Sequence, residues 1–152
     1  MVILKSSMQE IKSKKFNHLK IHTQYSICEG AIKIDELKNF CKKNKIQSVG
    51  LSDTSNLCGA LEFAEALSKV GTQPIIGTQI NFKSSDTVGL IPLIALNLTG
   101  YKRIVELSSK SYLNNEKSLE PILDIDDLYI QTEGLLVLSG SINGLFGKLF
   151  NK

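Results

Sequence analysis

Apolar residues recur at helical spacing in several stretches of this chain. The set Ile34, Leu37 and Cys41, with Phe40 beside it, predicts an amphipathic helix that ends near Asn44. The same spacing predicts helices over three further ranges: about 59–70, about 100–112 and, as a short turn, about 124–128. In the first of these three, the predicted apolar stripe consists of Leu61, Ala64 and Leu67.

Alternating or continuous apolar runs predict the strands. They lie over 16–22, 46–51, 74–82, 90–96 and 135–138. The last run is apolar at every position, which is typical of a parallel strand covered on both faces. Polar stretches predict a turn over 52–58 and loops over 83–88 and 114–120. Because helices alternate with strands along the chain, the predicted fold class is α/β with parallel strands.

Length and composition limit the class of protein. With 152 residues, 42% of them apolar and 22% charged, the chain has the composition of one globular domain. We interpret residues 1–15 as a polar leader and expect the packed domain over 16–152. The apolar run 144–150 lacks a helix stop signal, which suggests a truncated domain. No apolar run is long enough for a membrane span or a secretory signal, so we expect a cytoplasmic location and no membrane partner.

Charge and cysteine content argue against two further classes. The net charge is only +3, and 17 of the 18 basic residues are Lys, with Arg103 as the single Arg. A dedicated nucleic-acid domain usually carries a denser basic face with Arg side chains, so the chain alone is not expected to read DNA. Cys28, Cys41 and Cys58 are odd in number and include no Cys-x-x-Cys pair, which favours small buried thiols over disulfides or a zinc knuckle.

Candidate chemistry lies on the predicted strands and at their ends. His18, Lys20 and His22 are predicted to share one face of the strand 16–22, while Asp53 follows the second strand and Gln79 lies on the third. Alternating histidines and acids from neighbouring strand ends can build a divalent-metal cluster for phosphoester hydrolysis at a barrel mouth. Here the cluster is incomplete, because Lys20 is a cation and Gln79 is an amide. Both histidines of the chain lie on one strand, so a catalytic triad is also unsupported.

Five blocks of this sequence resemble a known family. In order, they read FNHLKIHTQYSICEGAIKIDEL, VGLSDTSNLCGALEFAEAL, QPIIGTQINF, LIALNLTGYKRIVELSSKSYL and EGLLVLSGSINGLFG. They closely resemble the PHP (polymerase and histidinol phosphatase) domain at the N-terminus of bacterial replicative DNA polymerase III alpha subunits, from about Phe16 onward. The resemblance implies part of a distorted parallel β/α barrel of PHP type. In such proteins the magnesium-binding carboxylates of the DNA-directed DNA polymerase would lie beyond Lys152, so this chain alone is expected to be inactive as a nucleotidyltransferase.

The resemblance also implies metal-site positions. His18 matches the first histidine of the family's His-x-His, Glu29 matches an acidic ligand, and Asp53 matches the Asp of Thr-Asp-His-Gly-Asn. The other matching positions lack good ligands: Lys20 and Thr54 stand in place of His, Gln79 in place of Glu, Leu90 near a His, and Ser141 in place of Cys. We interpret these positions as a vestigial site with no catalytic residue and no metal or other cofactor.

Two hypotheses follow from the resemblance. The first is a scaffold domain of the polymerase alpha subunit in DNA replication. It would bind the remainder of that subunit and a proofreading exonuclease subunit, and would meet DNA only through the parent holoenzyme. The alternative is a metal-dependent phosphoesterase or 3′-5′ exonuclease of PHP type.

Two side chains have open interpretations. Lys20 either pairs with Glu29 or Asp53 in place of missing cations, or extends to solvent. Asp53 either belongs to the vestigial site or caps the turn and helix ahead of Gly59.

Overall fold

The computed structural model describes residues 16–113 and 120–151, so the predicted leader and most of the loop predicted over 114–120 lie outside the described residues. The described helices are α1 (Ile34–Asn44), α2 (Ala60–Ser68), α3 (Leu98–Leu113), α4 (Ile125–Tyr129) and α5 (Leu145–Phe150). The described strands are β1 (Ser48–Gly50), β2 (Asp53–Thr54), β3 (Gln73–Ile75), β4 (Gly77–Ser84), β5 (Thr87–Ala95), β6 (Ile122–Asp124) and β7 (Leu135–Val137).

The two longest strands, β4 and β5, form the centre of the larger sheet. They pair antiparallel as a hairpin. On its other edge, β4 pairs in parallel with two short strands, β2 beside its first half and β6 beside its second half. β7 adds antiparallel to β5, while β1 and β3 form a two-stranded parallel sheet. The α/β class is confirmed, and its parallel pairs are combined with two antiparallel ones.

Two hydrophobic clusters bury these elements. One lies between α3 and the hairpin and includes Ile80, Phe82, Ile91, Leu93, Ile104 and Leu107. The other joins α1, α2 and β1 and includes Ile34, Leu37, Cys41, Val49, Phe63 and Leu67. Because side chains alternate along a strand, the opposite face of the hairpin carries Gln79, Leu90 and Pro92. That second face holds the candidate site.

Helix α1 has the bounds that the sequence predicts, from Ile34 to Asn44. Asp35 and Glu36 lie in its first turn, where carboxylates interact favourably with the helix dipole. The helix ends where Lys45 adopts the left-handed conformation, with a φ of 50°, and donates its N–H to the carbonyls of Cys41 and Lys42. Local signals therefore define this helix at both ends.

The predicted apolar stripe of α2 is confirmed at Leu67 and wrong at Leu61. Leu61 is 73% exposed, whereas Ala60, Phe63 and Leu67 are buried. The predicted stripe left the Phe63 ring out of the core, and burying that large ring stabilises the fold more than burying Leu61. Relative to the prediction, the helix is rotated about its axis so that Phe63 faces the core and Leu61 faces solvent.

The strand predicted over 74–82 is two strands, and the loop predicted over 83–88 is a tight turn. Ile76 separates β3 from β4, which pair with different neighbours. A Cβ on Gly77 would lie 2.4 Å from the Leu93 carbonyl oxygen, so the absence of a side chain lets β4 start directly against β5. The hairpin closes through Ser85, with a φ of 52°, and Asp86, since Ser84 and Thr87 still pair.

The segment predicted as a strand over 16–22 is extended but forms only an isolated bridge, between Ile21 and Leu51. It runs beside β1: Gly50 donates its N–H to the His18 carbonyl at 2.7 Å, and Ile21 donates to the Gly50 carbonyl at 3.1 Å. β1 has three residues, so the ladder beside it is short. These hydrogen bonds hold the segment so that Thr23 reaches Asp53 of β2.

The strand predicted over 135–138 is present as β7, but its environment differs from the prediction. It pairs antiparallel with β5, and Leu136 is 39% exposed, so the strand is covered on one face only among the described residues. A continuous apolar run indicated a strand correctly but did not reveal its direction.

Several smaller features also differ from expectation. Three short elements, β2, β6 and α5, were not predicted, and β2 lies within the turn predicted over 52–58. Cys41 is buried, but Cys28 and Cys58 are exposed, so the expectation of three buried thiols is wrong for two of them. Burial raises the pKa of the Cys41 thiol. In the described part of the chain, no helix has the length and apolar character needed to cross a membrane.

Candidate functional site

Asp53 is a fully buried carboxylate at the start of β2. Its Oδ1 accepts hydrogen bonds from the Thr23 backbone N–H at 2.6 Å and from the Ser26 hydroxyl at 2.7 Å. Its Oδ2 accepts from the Thr23 hydroxyl at 2.6 Å. Both oxygens of the carboxylate are therefore engaged by donors from one preceding turn.

That turn begins at Thr23 and ends at Gly30. Ser26 donates its N–H to the Thr23 carbonyl at 2.9 Å, and its hydroxyl accepts from the Thr54 N–H at 3.1 Å. Gly30 donates to the Ser26 carbonyl at 2.8 Å and lies so close to Thr23 that a Cβ would be 2.0 Å from its carbonyl oxygen. Only glycine fits this approach, and the tight turn brings Glu29 to the edge of β2.

A second hydrogen-bond chain crosses from this turn to β4. The Gln79 Nε2 donates to the Thr54 hydroxyl at 2.7 Å, and that hydroxyl donates to the Glu29 carboxylate. Thr54 and Gln79 are direct neighbours in the parallel pairing of β2 with β4. The Gln79 Oε1 is buried without a hydrogen-bond partner in the described structure. We call the group Thr23, Ser26, Glu29, Asp53, Thr54 and Gln79 the anchored cluster.

Three other predicted site positions lie together in a separate place. Lys20, Leu90 and Ser141 line a small cleft of about 60 Å³, whose remaining walls are Pro92, Gly140, Asn143 and Gly144. We call this group the cleft. Pro92 pairs with Gln79 in the hairpin, so the cleft adjoins the anchored cluster. Its walls contribute one cation and short polar or apolar groups, but no acid or imidazole.

The two histidines belong to neither group by any hydrogen bond within the described residues. His18 is exposed, and its ring packs edge-on against Phe16 with a centroid separation of 4.8 Å. The Nδ1 of His22 is buried and has no hydrogen-bond partner in the described structure. The structure therefore does not bring His18 together with Glu29 or Asp53 through direct contacts.

The two open interpretations of side chains are resolved by these contacts. Lys20 is exposed and forms no ion pair with Glu29 or Asp53, so the pairing hypothesis is wrong. Asp53 holds a turn, but the turn precedes it in sequence and is not the start of α2. Asn56 has the turn role ahead of α2, since its Oδ1 accepts from the Cys58 N–H at 3.0 Å.

One further contact ties the turn to α2. The Tyr25 hydroxyl donates to the Glu62 carboxylate at 2.7 Å, and Asn56 donates to the Tyr25 carbonyl at 3.0 Å. The hydrogen bond and negative charge of Glu62 raise the pKa of Tyr25. Gly59 lies under the Tyr25 ring, where a Cβ would be 2.5 Å from the nearest ring carbon. The turn is thus fixed to the domain on both sides.

A divalent metal of the kind that the PHP resemblance implies needs several side chains of His, Cys, Asp or Glu that converge on one point. Over residues 16–113 and 120–151, no three such side chains form a group that could hold a metal ion. The Asp53 oxygens point at Thr23 and Ser26, and Glu29 accepts from Thr54. The residues present therefore do not fit a metal cluster, and the contacts support structural roles.

Comparison with known proteins shows where related sequences occur. Residues 18–152 match the family profile of the PHP domain. The chain is 38% identical over 135 residues to the DNA polymerase III subunit alpha of Rickettsia felis and 34% identical over 156 residues to that of Caulobacter vibrioides. These alignments cover 88% and 94% of this chain but only 11% and 13% of the relatives. The chain thus spans a small part of their length.

The fold has a counterpart among solved structures. A protein from Bifidobacterium adolescentis, described as a metal-dependent phosphoesterase, is similar with a TM-score of 0.51 and 19% sequence identity. The match covers 62% of this chain and 32% of that chain. At this identity the likeness concerns the fold alone, and it confirms the predicted fold class.

Proposed function

The chain belongs to the PHP domain family, and from this we propose that it is the PHP domain of a bacterial DNA polymerase III alpha subunit and acts there as a scaffold. The parent protein would be a DNA-directed DNA polymerase in the cytoplasm, with its magnesium-binding carboxylates outside this domain. In this proposal the domain performs no chemistry of its own. Its role is to pack against other parts of the polymerase and so support their arrangement.

One observation carries the proposal: the buried Asp53 carboxylate accepts three hydrogen bonds from Thr23 and Ser26. These donors, two hydroxyls and one backbone N–H, occupy three of the about four lone-pair positions of the carboxylate, so a metal bound through both oxygens would have to displace at least one of them. Unpaired buried donors are costly, at about 1–3 kcal/mol each. Since the chain supplies few other ligands nearby, a metal would gain too little to offset that cost.

The metal content of the complete polypeptide tests the proposal. We expect elemental analysis of the purified protein to find no stoichiometric zinc or manganese in this domain. We also expect that this domain neither releases nucleotides from a DNA 3′ end nor hydrolyses other phosphoesters. Near-stoichiometric metal that is lost in His18→Ala would contradict the scaffold function and favour the alternative, a metal-dependent phosphoesterase or 3′-5′ exonuclease.

A restored site provides the matched positive control. The combined variant Lys20→His, Thr54→His and Gln79→Glu replaces a cation and two neutral oxygens with ligand-type side chains. We expect its zinc affinity to rise more than that of any single variant, because ligands bind a metal as a unit. If one single variant had the same zinc affinity as the combined variant, the hypothesis that several ligands are missing from this site would be wrong.

Two partners follow from the proposal, the remainder of the alpha subunit and a proofreading exonuclease subunit. The complete alpha subunit should bind that exonuclease in a titration followed by calorimetry. The PHP part should contribute little to DNA affinity, because this chain carries a net charge of only +3 and a single Arg. Tight DNA binding by this part at physiological salt, without exonuclease binding, would contradict the proposed scaffold function.

A further inference from the structure

Helix α3 carries two apolar faces, and only one of them is covered in the described structure. The covered face contains the buried residues Gly100, Arg103, Ile104, Leu107 and Ser111, of which Ile104 and Leu107 pack on the hairpin. The polar side of the helix carries Lys102, Glu106 and Lys110, and the last two are engaged in ion pairs with Arg103 and Asp127. A third side of the helix remains.

That third side is an exposed apolar stripe. It consists of Leu98, Tyr101, Val105 and Tyr112, which are 67%, 37%, 39% and 57% exposed. We call these four residues the α3 stripe. With Ser108 between the last two, the spacing alternates between three and four residues over the whole helix. Helices that pack along one another carry their contact residues at this alternating spacing. In α2, by contrast, Leu61 is the single large apolar residue that is exposed.

The size of the α3 stripe limits what can cover it. A helix of 16 residues is about 24 Å long, and a strip of about 10 Å width along it has an area near 240 Å². Stable complexes between separate proteins bury about 800 Å² on each partner. The stripe alone is therefore too small to hold a second copy of this chain or a free subunit. A tethered helix needs far less area, because its effective concentration is high.

We infer that the α3 stripe is the packing surface for an amphipathic helix from the remainder of the same polypeptide. This inference rests on the proposed function, in which the domain is one part of a polymerase alpha subunit. The relatives from Rickettsia felis and Caulobacter vibrioides have 89% and 87% of their length outside the matched region, which can supply such a helix. The occupant has apolar residues in the same spacing and an acidic residue opposite the exposed Lys102, which flanks the stripe.

Cysteine accessibility in the complete polypeptide tests the inference. Leu98→Cys and Tyr112→Cys place thiols at the two ends of the α3 stripe, about 21 Å apart. Leu61→Cys, at an isolated residue that is 73% exposed, is the matched control. Each variant is labelled with a maleimide in native buffer and in urea, and labelling is read by peptide mass spectrometry so that the native cysteines do not interfere.

We expect both stripe cysteines to react at least tenfold more slowly in native buffer than in urea, whereas Leu61→Cys changes less than threefold. Because each of these replacements shortens a side chain, a second pair of variants, Tyr101→Lys and Val105→Glu, is also made. These should lower the melting temperature of the complete polypeptide, and Leu61→Lys should not.

Three results would overturn the inference. Both stripe cysteines could stay as reactive as Leu61→Cys in a complete alpha subunit, which would leave the proposed function intact. Protection could require added exonuclease subunit or grow with protein concentration, which would assign the stripe to a free partner or a second copy. Protection could also persist in the 152-residue chain and vanish when residues 1–15 are deleted, which would assign it to the leader. Bound metal, in contrast, would contradict the proposed function without affecting the stripe.

Discussion

The anchored cluster and the cleft are adjacent on one face of the hairpin, yet they differ in how their side chains are held. In the anchored cluster, every predicted site residue has a hydrogen bond: Asp53 to Thr23 and Ser26, Thr54 to Glu29 and Gln79. In the cleft, Lys20 and Ser141 are exposed and Leu90 is apolar. The first region keeps acids, and the second has none.

The difference indicates which of these positions contribute to the stability of the fold. A buried acid whose oxygens accept three hydrogen bonds contributes to folding whether or not a metal is present. Lys20 and Ser141 are exposed, where water can bond to them, so we expect their replacement to cost little. We therefore expect the anchored cluster to stabilise the fold and the cleft to tolerate substitution. Four substitutions, from the largest expected effect to the smallest, can break or sharpen the comparison.

Asp53→Ala should have the largest effect. It leaves two hydroxyls and one backbone N–H buried without an acceptor, and we expect a loss of about 4 kcal/mol in the free energy of unfolding. Urea denaturation followed by circular dichroism measures it. Asp86→Ala, at an exposed carboxylate in the hairpin turn, is the control and should change stability by less than about 0.5 kcal/mol. Equal effects at the two positions would remove the structural role assigned to Asp53.

Ser26→Ala should come next. The Ser26 hydroxyl donates to Asp53 and accepts from the Thr54 N–H, so its removal deprives two buried groups of a partner. We expect a loss of about 2 kcal/mol, measured by the same denaturation. Ser139→Ala at an exposed serine provides the comparison, and a similar loss there would show that the assay reports something other than this network.

The sequence predicted the local elements of this domain better than its site contacts. The bounds of α1 follow from its apolar spacing and its acidic first turn, which are signals within the helix itself. The partners of Asp53 are 27 and 30 residues away, and no local periodicity encodes such a contact. Thr23 and Ser26 were therefore missed as site residues. The available signal was a polar turn directly after a segment of alternating polar and apolar residues, with a lone acid at the next strand end.

Local patterns also did not predict the direction of a strand or the rotation of a helix about its axis. The apolar run over 135–138 is a strand, but only the pairing with β5 fixes it as antiparallel. The rotation of α2 depends on which residues find space in the core, and Phe63 occupies that space in preference to Leu61. The family resemblance, in contrast, did indicate positions that are distant in sequence and close in space. Thr54 and Gln79, for example, are in direct contact.

Thr54→Val should have a smaller effect than Ser26→Ala. It removes the hydroxyl that joins Gln79 to Glu29 but keeps the backbone N–H that bonds to Ser26. Because Glu29 is exposed and can bond to water instead, we expect a loss of about 1 kcal/mol. Thr54→Ser keeps the hydroxyl and should restore most of it. If Thr54→Ser were as destabilising as Thr54→Val, the lost methyl packing and not the hydrogen-bond chain would be the cause.

Lys20→Ala should have the smallest effect and most directly tests the cleft. Lys20 is exposed and has no ion pair with Glu29 or Asp53, so its removal leaves no buried charge or donor behind. We expect a change within about 0.5 kcal/mol in the free energy of unfolding, as for an ordinary surface substitution. Lys148→Ala, which removes an Nζ that donates to the Val88 carbonyl at 2.8 Å, is the matched lysine control. A loss at Lys20 as large as that of Ser26→Ala would show that the cleft is also structural, and the contrast between the two regions would no longer hold.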